Sequence, residues 1–260
     1  VTGVQTCALP ILVGTSGNDT LTGGGGVDRF NAGKGNDTIV LTASDVTNLA
    51  NNTVGSVKAM VDGGEGYDTL QVSASGVNLD LTAISNVSAS AYDGSSRINS
   101  IEHIDLGADT TANTLTLAAK DVNDMSGFNA IHTGTASADG KTWTNVSGTA
   151  LAATTQYHQV VVEGTSADTL NLQAGDGFWY NSGEVSNGTK NYYVYQNDAM
   201  HTQVIVDKTV GTNNNDHQDT GPVVLTDAIR GTSFSGENSG GAVSYAGDVN
   251  GDGYDDVILS

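Results

Sequence analysis

Gly14-Thr-Ser-Gly-Asn-Asp-Thr-Leu-Thr22, Gly23-Gly-Gly-Gly-Val-Asp-Arg-Phe-Asn31 and Ala32-Gly-Lys-Gly-Asn-Asp-Thr-Ile-Val40 are three consecutive nine-residue steps of one pattern. Each step carries Gly at its fourth place, Asp at its sixth (Asp19, Asp28, Asp37) and a large apolar residue at its eighth (Leu21, Phe30, Ile39). Glycine admits the positive φ that tight turns demand. The short strand after each turn sends its apolar residue inward and its neighbours outward. Two steps make one coil of eighteen residues, so turns stack on alternate steps and Asp19 and Asp37 fall on the same side. The period predicts a short parallel β-roll over residues 12–42. A flexible Gly-rich linker would not keep Asp and the apolar residue in phase over three steps.

Stacked carboxylates with turn carbonyls between them suit Ca²⁺, a hard ion that takes roughly six to eight oxygens and mixes carboxylate with backbone. Asp19 and Asp37 are expected to share one such ion. The three steps resemble the RTX (hemolysin-type) calcium-binding nonapeptide of secreted repeat proteins. That resemblance implies Ca²⁺ held through Asp19, Asp28 and Asp37. A preceding repeat would place the partner of Asp28 at position 10, eighteen residues back, so Asp28 is expected to hold only half a site. One more nonapeptide, Gly63-Gly64-Glu65-Gly66-Tyr67-Asp68-Thr69-Leu70-Gln71, follows Asp62. It stands alone. Asp68 therefore needs another loop to complete a metal shell, and a metal-free turn is equally open.

The first eleven residues, Val1 to Ile11, resemble the translation of a widely used sequencing adapter and are set aside from fold reasoning. With them go the only cysteine, Cys7, and one of two prolines, Pro10. An absent initiator Met fits this reading. Without Cys7 no disulfide is possible, so calcium is expected to take the stapling role that disulfides take in other extracellular modules.

A formal charge of −20, from 29 acidic against 9 basic residues, excludes nucleic acid as a partner and disfavours anionic membranes. Such a chain repels itself when compact, and bound divalent cations relieve the repulsion. No run of about eighteen apolar residues exists that could span a bilayer as a helix. The 34 glycines, with abundant Thr, Ser, Asn and Asp, suit an all-β chain of many turns.

Residues 43–61 read as a connecting segment with a short helix near Ser44 to Leu49. Residues 62–210 read as a central β-rich module, solenoid or sandwich, of period-two strands between polar turns. Val77, Leu79 and Leu81 point inward, Val160-Val161-Val162 reads as a strand buried on both faces, and Lys120 to Met125 reads as a short helix. Trp143, Trp179 and the tyrosines at 192, 193 and 195 are expected to be packing residues rather than a glycan-stacking platform. The order of Asp68-Thr69-Leu70, Leu79-Asp80-Leu81-Thr82, Ile101 to Leu106, Thr114 to Leu117, Val162-Glu163-Gly164 and Asp168 to Leu172 resembles a module of very large bacterial repeat proteins. That resemblance implies type I secretion and a part in surface adhesion. The Thr/Ser/Gly/Ala-rich stretch from Phe128 to Tyr157 departs from it and reads as an inserted surface loop. Residues 211–221 read as a polar linker.

Residues 222–260 end in Asp248-Val249-Asn250-Gly251-Asp252-Gly253-Tyr254-Asp255-Asp256, with acceptors at loop positions 1, 3, 5 and 9 and Gly at 6. That spacing wraps a loop around Ca²⁺, with side chains from Asp248, Asn250, Asp252 and Asp256 and the carbonyl of Tyr254. An EF-hand needs Glu at position 12, where Leu259 stands, and flanking helices, where strands are expected. A strand-loop-strand calcium site remains. With Phe234-Ser235-Gly236 upstream it resembles the FG-GAP repeat of integrin-α-type propellers, although the usual Phe-Gly dipeptide is missing, since Ser235 follows Phe234. The resemblance implies a partial β-propeller blade, and propellers of about four to eight blades imply a parent chain that continues past Ser260.

The His-Glu-x-x-His zinc helix and the Gly-x-Ser-x-Gly elbow are absent from the sequence, and its five histidines are scattered. The expected protein is not an enzyme. It is a calcium-binding structural or adhesive segment of a large secreted or cell-surface protein, with a Gram-negative bacterium as the expected source. It would fold on Ca²⁺ after export, with calcium and host or matrix surface ligands as partners. Two other readings stay open: the non-catalytic part of a secreted hydrolase, and a carbohydrate-binding module.

Overall fold

A computed structural model describes residues 11–52, 58–84, 97–148, 151, 156–174, 176–214, 243–247 and 256–259. The chain divides into two units, Val1–Pro222 and Val223–Ser260. Among the described residues, strands dominate both.

The first unit is a parallel solenoid of six coils. Coil one holds β1 (Ile11–Val13) and β2 (Thr20–Thr22), and coil two holds β3 (Arg29–Asn31) and β4 (Thr38–Leu41). A helix, α1 (Ala43–Ala50), leads to coil three: β5 (Met60–Asp62), β6 (Thr69–Val72) and β7 (Asn78–Asp80). Coil four is β8 (Ile98–Asn99), β9 (His103–Asp105) and β10 (Thr114–Ala118), followed by α2 (Ala119–Met125) and by β11 (Thr144–Gly148). Coil five is β12 (His158–Glu163) and β13 (Thr169–Gln173). A hairpin of β14 (Tyr180–Ser186) and β15 (Asn191–Asn197) precedes coil six, β16 (Thr202–Asp207) and β17 (Gly211–Asn214).

Successive coils stack into three sheets. The first runs β1-β3-β5-β8, the second β2-β4-β6-β9-β12-β16 and then β15-β14-β11, and the third β7-β10-β13-β17. Pairing is parallel throughout the coils and turns antiparallel only at β16-β15-β14-β11. The register lines up the eighth residues of the nonapeptides with later strands: Leu21, Ile39, Leu70, Ile104, Val162 and Val206 form one column. Each is 4 % exposed or less, so the apolar column that the repeat opens continues through later coils of other lengths. Solenoid, rather than sandwich, describes residues 62–210.

The helices are local. Thr42 caps α1 with Asp45 in a reciprocal capping box, and Val46 and Leu49 are its buried apolar face. No basic residue sits in the last turn of α1. Arg97, 46–49 residues further along, supplies that charge from coil four: its guanidinium donates to the carbonyls of Asn48 and Asn51, and to Ala59 beyond.

Three expectations change. The roll begins at Ile11, one residue inside the segment set aside, because pairing with Arg29 engages the backbone whatever the side chain. The first four residues of the expected polar linker 211–221 form β17, which extends the third sheet through main-chain bonds that need no apolar side chain. The inserted stretch 128–157 is more than a surface loop. Ile131, Trp143 and Leu151 are buried with Val161, Val185, Tyr192, Val194 and Ile205 in a second core on the outer face of the second sheet. That is why β12 is buried on both faces, as its three valines lead one to expect. Trp143 and Trp179, each 1 % exposed, are packing residues.

In the second unit, β18 (Val243–Gly247) pairs antiparallel with β19 (Asp256–Leu259).

Candidate metal centre

Each connection from the first sheet to the second ends on an acidic residue just before the second-sheet strand: Asp19, Asp37, Asp68 and Glu102. The solenoid stacks these four. The backbone N–H of Asp19 donates to Asp37 Oδ1 at 2.8 Å, that of Asp37 to Asp68 Oδ1 at 2.8 Å, and that of Asp68 to Glu102 Oε2 at 3.0 Å. One carboxylate oxygen of each coil thus satisfies the turn of the coil before it. Glycine makes the close stacking possible. Gly64 adopts φ +98°, and a Cβ there would stand 2.0 Å from the carbonyl oxygen of Gly33 in the neighbouring coil.

The other oxygens differ from coil to coil. Asp19 Oδ2 accepts from the N–H of Thr15 at 2.5 Å and from its hydroxyl at 2.7 Å. Those bonds hold the Asp19 carboxyl below the usual range. Asp37 Oδ2 and Asp68 Oδ2 are buried and have no hydrogen-bond partner. Burial raises the Asp37 carboxyl, and Asp19 adds repulsion. Asp68 is pushed up to about 6, by burial first and then by the charges of Asp37 and Asp62. Glu102 is pushed up to about 7, by burial first and then by Asp68. Asp62 is itself raised by burial.

Buried carboxylate oxygens without a donor are expensive, and these fit a hard cation. A Cβ at Gly63 would stand 2.7 Å from Asp68 Oδ2, so the glycine keeps the space before that oxygen clear. Among the described residues no three acidic, His or Cys side chains cluster as a metal-binding group. A cation here would therefore draw on Asp37 and Asp68 and take its remaining ligands from turn carbonyls, the mixture that Ca²⁺ accepts.

Asp19 and Asp37 are on one side and in contact, as the period requires. Asp68 is not alone. It stacks directly on Asp37, and the spacing of 31 residues hides this because α1 interrupts the eighteen-residue period. Asp28 lies on the opposite connection, from the second sheet to the first. The partner position expected for it, 10, is outside the described residues. Its neighbour is Asp45 of α1; burial first, and then the close Asp45 carboxyl, push Asp28 up to about 6. Asp248, Asn250, Asp252 and Tyr254 are outside the described residues, and Asp256 is the first residue of β19.

Three acidic residues escaped the reading by spacing: Asp45, Asp62 and Glu102. The signal for Asp62 was its place immediately before the glycine pair of a nonapeptide, and for Glu102 its place just before a strand. Asp45 carried only a helix-cap signal.

Residues 11–39 match the family of the RTX calcium-binding nonapeptide repeat (4 copies). No curated protein and no solved structure matches the chain. The matched segment covers β1 to β4 and includes Asp19, Asp28 and Asp37, so this part of the solenoid is similar to calcium-binding repeats. Among the described residues, no helix is long and apolar enough to cross a membrane.

Proposed function

We propose that the chain is a non-catalytic, calcium-dependent structural segment of a large exported bacterial protein, and that it gives rigid spacing and presentation to adhesive modules. One observation carries this reading: the orphaned buried oxygens of Asp37 and Asp68 stand on adjacent coils, in turns continuous with a matched calcium repeat. Asp37 and Asp68 would hold the ion with turn carbonyls. The ion supplies positive charge that lets both buried carboxylates stay ionised. The chain's own residues do the rest. The glycine turns keep the space open, the Asp ladder fixes the stacking of coils, and the apolar column beneath holds the coils in register.

A chain at −20 that lacks its cations repels itself. Calcium is scarce inside cells and plentiful outside, so export would supply the ligand and drive folding by mass action. Secretion, adhesion through host or matrix ligands, and an extracellular home all belong to this proposal. So does the C-terminal FG-GAP loop, with Ca²⁺ held by Asp248, Asn250, Asp252, Asp256 and the Tyr254 carbonyl. The antiparallel pairing of β18 with β19 supports a strand-loop-strand arrangement there.

The test is a calcium titration of chelator-stripped chain followed by far-UV circular dichroism. A cooperative gain of β-structure with Ca²⁺, and none with Mg²⁺, is the expected result. A chain fully folded in chelator and unaltered by Ca²⁺ would overturn the proposal.

A further inference from the structure

Asp28 is 1 % exposed, and neither of its carboxylate oxygens has a hydrogen-bond partner. Beside it, Asp45 is 2 % exposed. Asp45 Oδ2 is fully engaged in the helix cap, accepting from the N–H of Thr42 at 2.8 Å and from its hydroxyl at 2.6 Å. Its Oδ1 has no partner. The two side chains converge on one point: a Cβ at Gly23 would stand 2.5 Å from Asp28 Oδ2 and 2.8 Å from Asp45 Oδ1. Two buried acceptor oxygens, Asp28 Oδ2 and Asp45 Oδ1, thus face the space that Gly23 leaves open, and Asp28 Oδ1 is a third buried oxygen without a partner beside them. Among the described residues, no basic side chain is one of the groups that act on Asp28.

The two halves are also tied together without any ion, since the Asn48 amide of α1 donates to the Gly26 carbonyl. The capping box fixes Asp45, so its second oxygen is delivered rather than free to swing. Two buried carboxylates with no donor repel each other, and a divalent cation that accepts oxygen ligands removes both costs at once.

We infer that Asp28 and Asp45 form a hard-cation site, of the Ca²⁺ class, between a repeat turn and the first turn of α1. The nonapeptide pattern does not encode Asp45. The helix supplies the carboxylate that the next coil would supply in an uninterrupted roll, so the site closes the repeat where its period breaks. This extends the calcium reading of Asp37 and Asp68 but is separable from it.

The experiment counts tightly bound Ca²⁺ by equilibrium dialysis of the 260-residue chain and of its variants. Asp28→Asn and Asp45→Asn should each bind one ion fewer than the parent, and the double variant should lose that same single ion. Asp45 also caps the helix, so Gly23→Ala serves as the second probe. It leaves the cap intact, places a methyl against Asp28 Oδ2, and should lose the same ion. A parental count in either Asp45→Asn or Gly23→Ala overturns the inference. A count lowered by Asp37→Asn alone overturns it while sparing the ladder site, whereas a parent that binds no Ca²⁺ overturns both.

Discussion

Two edges of the same solenoid are built on one plan and finished differently. At the edge between the first and second sheets, Asp37, Asp68 and Glu102 receive the N–H groups of Asp19, Asp37 and Asp68 from the preceding coil. At the edge between the second and third sheets, Asn113 Oδ1 receives the N–H of Val77 at 2.9 Å, and Asp168 Oδ1 receives that of Asn113 at 2.9 Å. The backbone problem is identical. The remaining oxygen separates them. Asp168 Oδ2 accepts from the N–H of Thr165 at 2.7 Å and from its hydroxyl at 2.9 Å, whereas Asp37 Oδ2 and Asp68 Oδ2 accept nothing. Thr165 follows Gly164 as Thr15 follows Gly14, while the corresponding residues before Asp37 and Asp68 are Gly33 and Gly64, with φ of +105° and +98°. A threonine in the second place of the turn closes the carboxylate with the protein's own donors. A glycine there leaves the oxygen open to a cation.

The largest expected effect comes from removing calcium. Each ion held at a hundredfold excess over its Kd contributes about 2.7 kcal/mol. Hydrogen exchange in chelator should therefore lose protection at residues 14–68 and keep more of it at 158–214. Uniform loss across both edges would break the comparison.

Charge removal should split the two edges by about 1–3 kcal/mol. In chelator, Asp68→Asn should stabilise the chain, because it removes a repelled buried charge; in calcium it should destabilise it. Asp168→Asn should destabilise in both conditions, since an amide would set its own N–H groups against those of Thr165 or Asn113. Denaturant melts with and without Ca²⁺ read both signs, and a calcium-independent Asp68→Asn would count against the open-oxygen reading.

The pH dependence should be smaller. In the metal-free chain Asp28 and Asp68 sit at about 6 and Glu102 at about 7, above their ordinary values of 3.8 and 4.5. A folded state that binds protons more tightly gains stability at low pH and loses it as pH rises through these values. Stability in chelator should fall between about pH 4 and 7, by about 1 kcal/mol in all after solvent screening, and excess Ca²⁺ should remove most of the slope.

Smallest is the loss of one hydroxyl. Thr165→Ala should cost about 0.5–1.5 kcal/mol, equally with and without calcium. A new calcium dependence in that variant would sharpen the comparison, since opening Asp168 Oδ2 would have made a cation position out of a closed one.

The sequence made the first two coils legible because nine-residue steps carry their own phase. Leu21, Phe30 and Ile39 announce the inward face, and Asp19 and Asp37 announce the ladder. Legibility fails where the period does. Helix α1 stands between Asp37 and Asp68, so the spacing of 31 residues gives no sign that the two touch. Asp45 is invisible for the same reason: its cap role is local, and its approach to Asp28 exists only once the coil closes. The stretch 128–157 misleads through composition. Small polar residues dominate it, while three apolar anchors, Ile131, Trp143 and Leu151, decide that it packs as a cover.

The hairpin β14-β15 has a consequence beyond its own packing. A parallel solenoid has translational symmetry along its stack, and nothing in one coil forbids the next. At coil six the free edge of β16 is occupied by β15, running the other way. A seventh strand has no place to add in the second sheet. The array therefore has a built-in terminus on that side, as a crystal face does when a misoriented layer stops its growth.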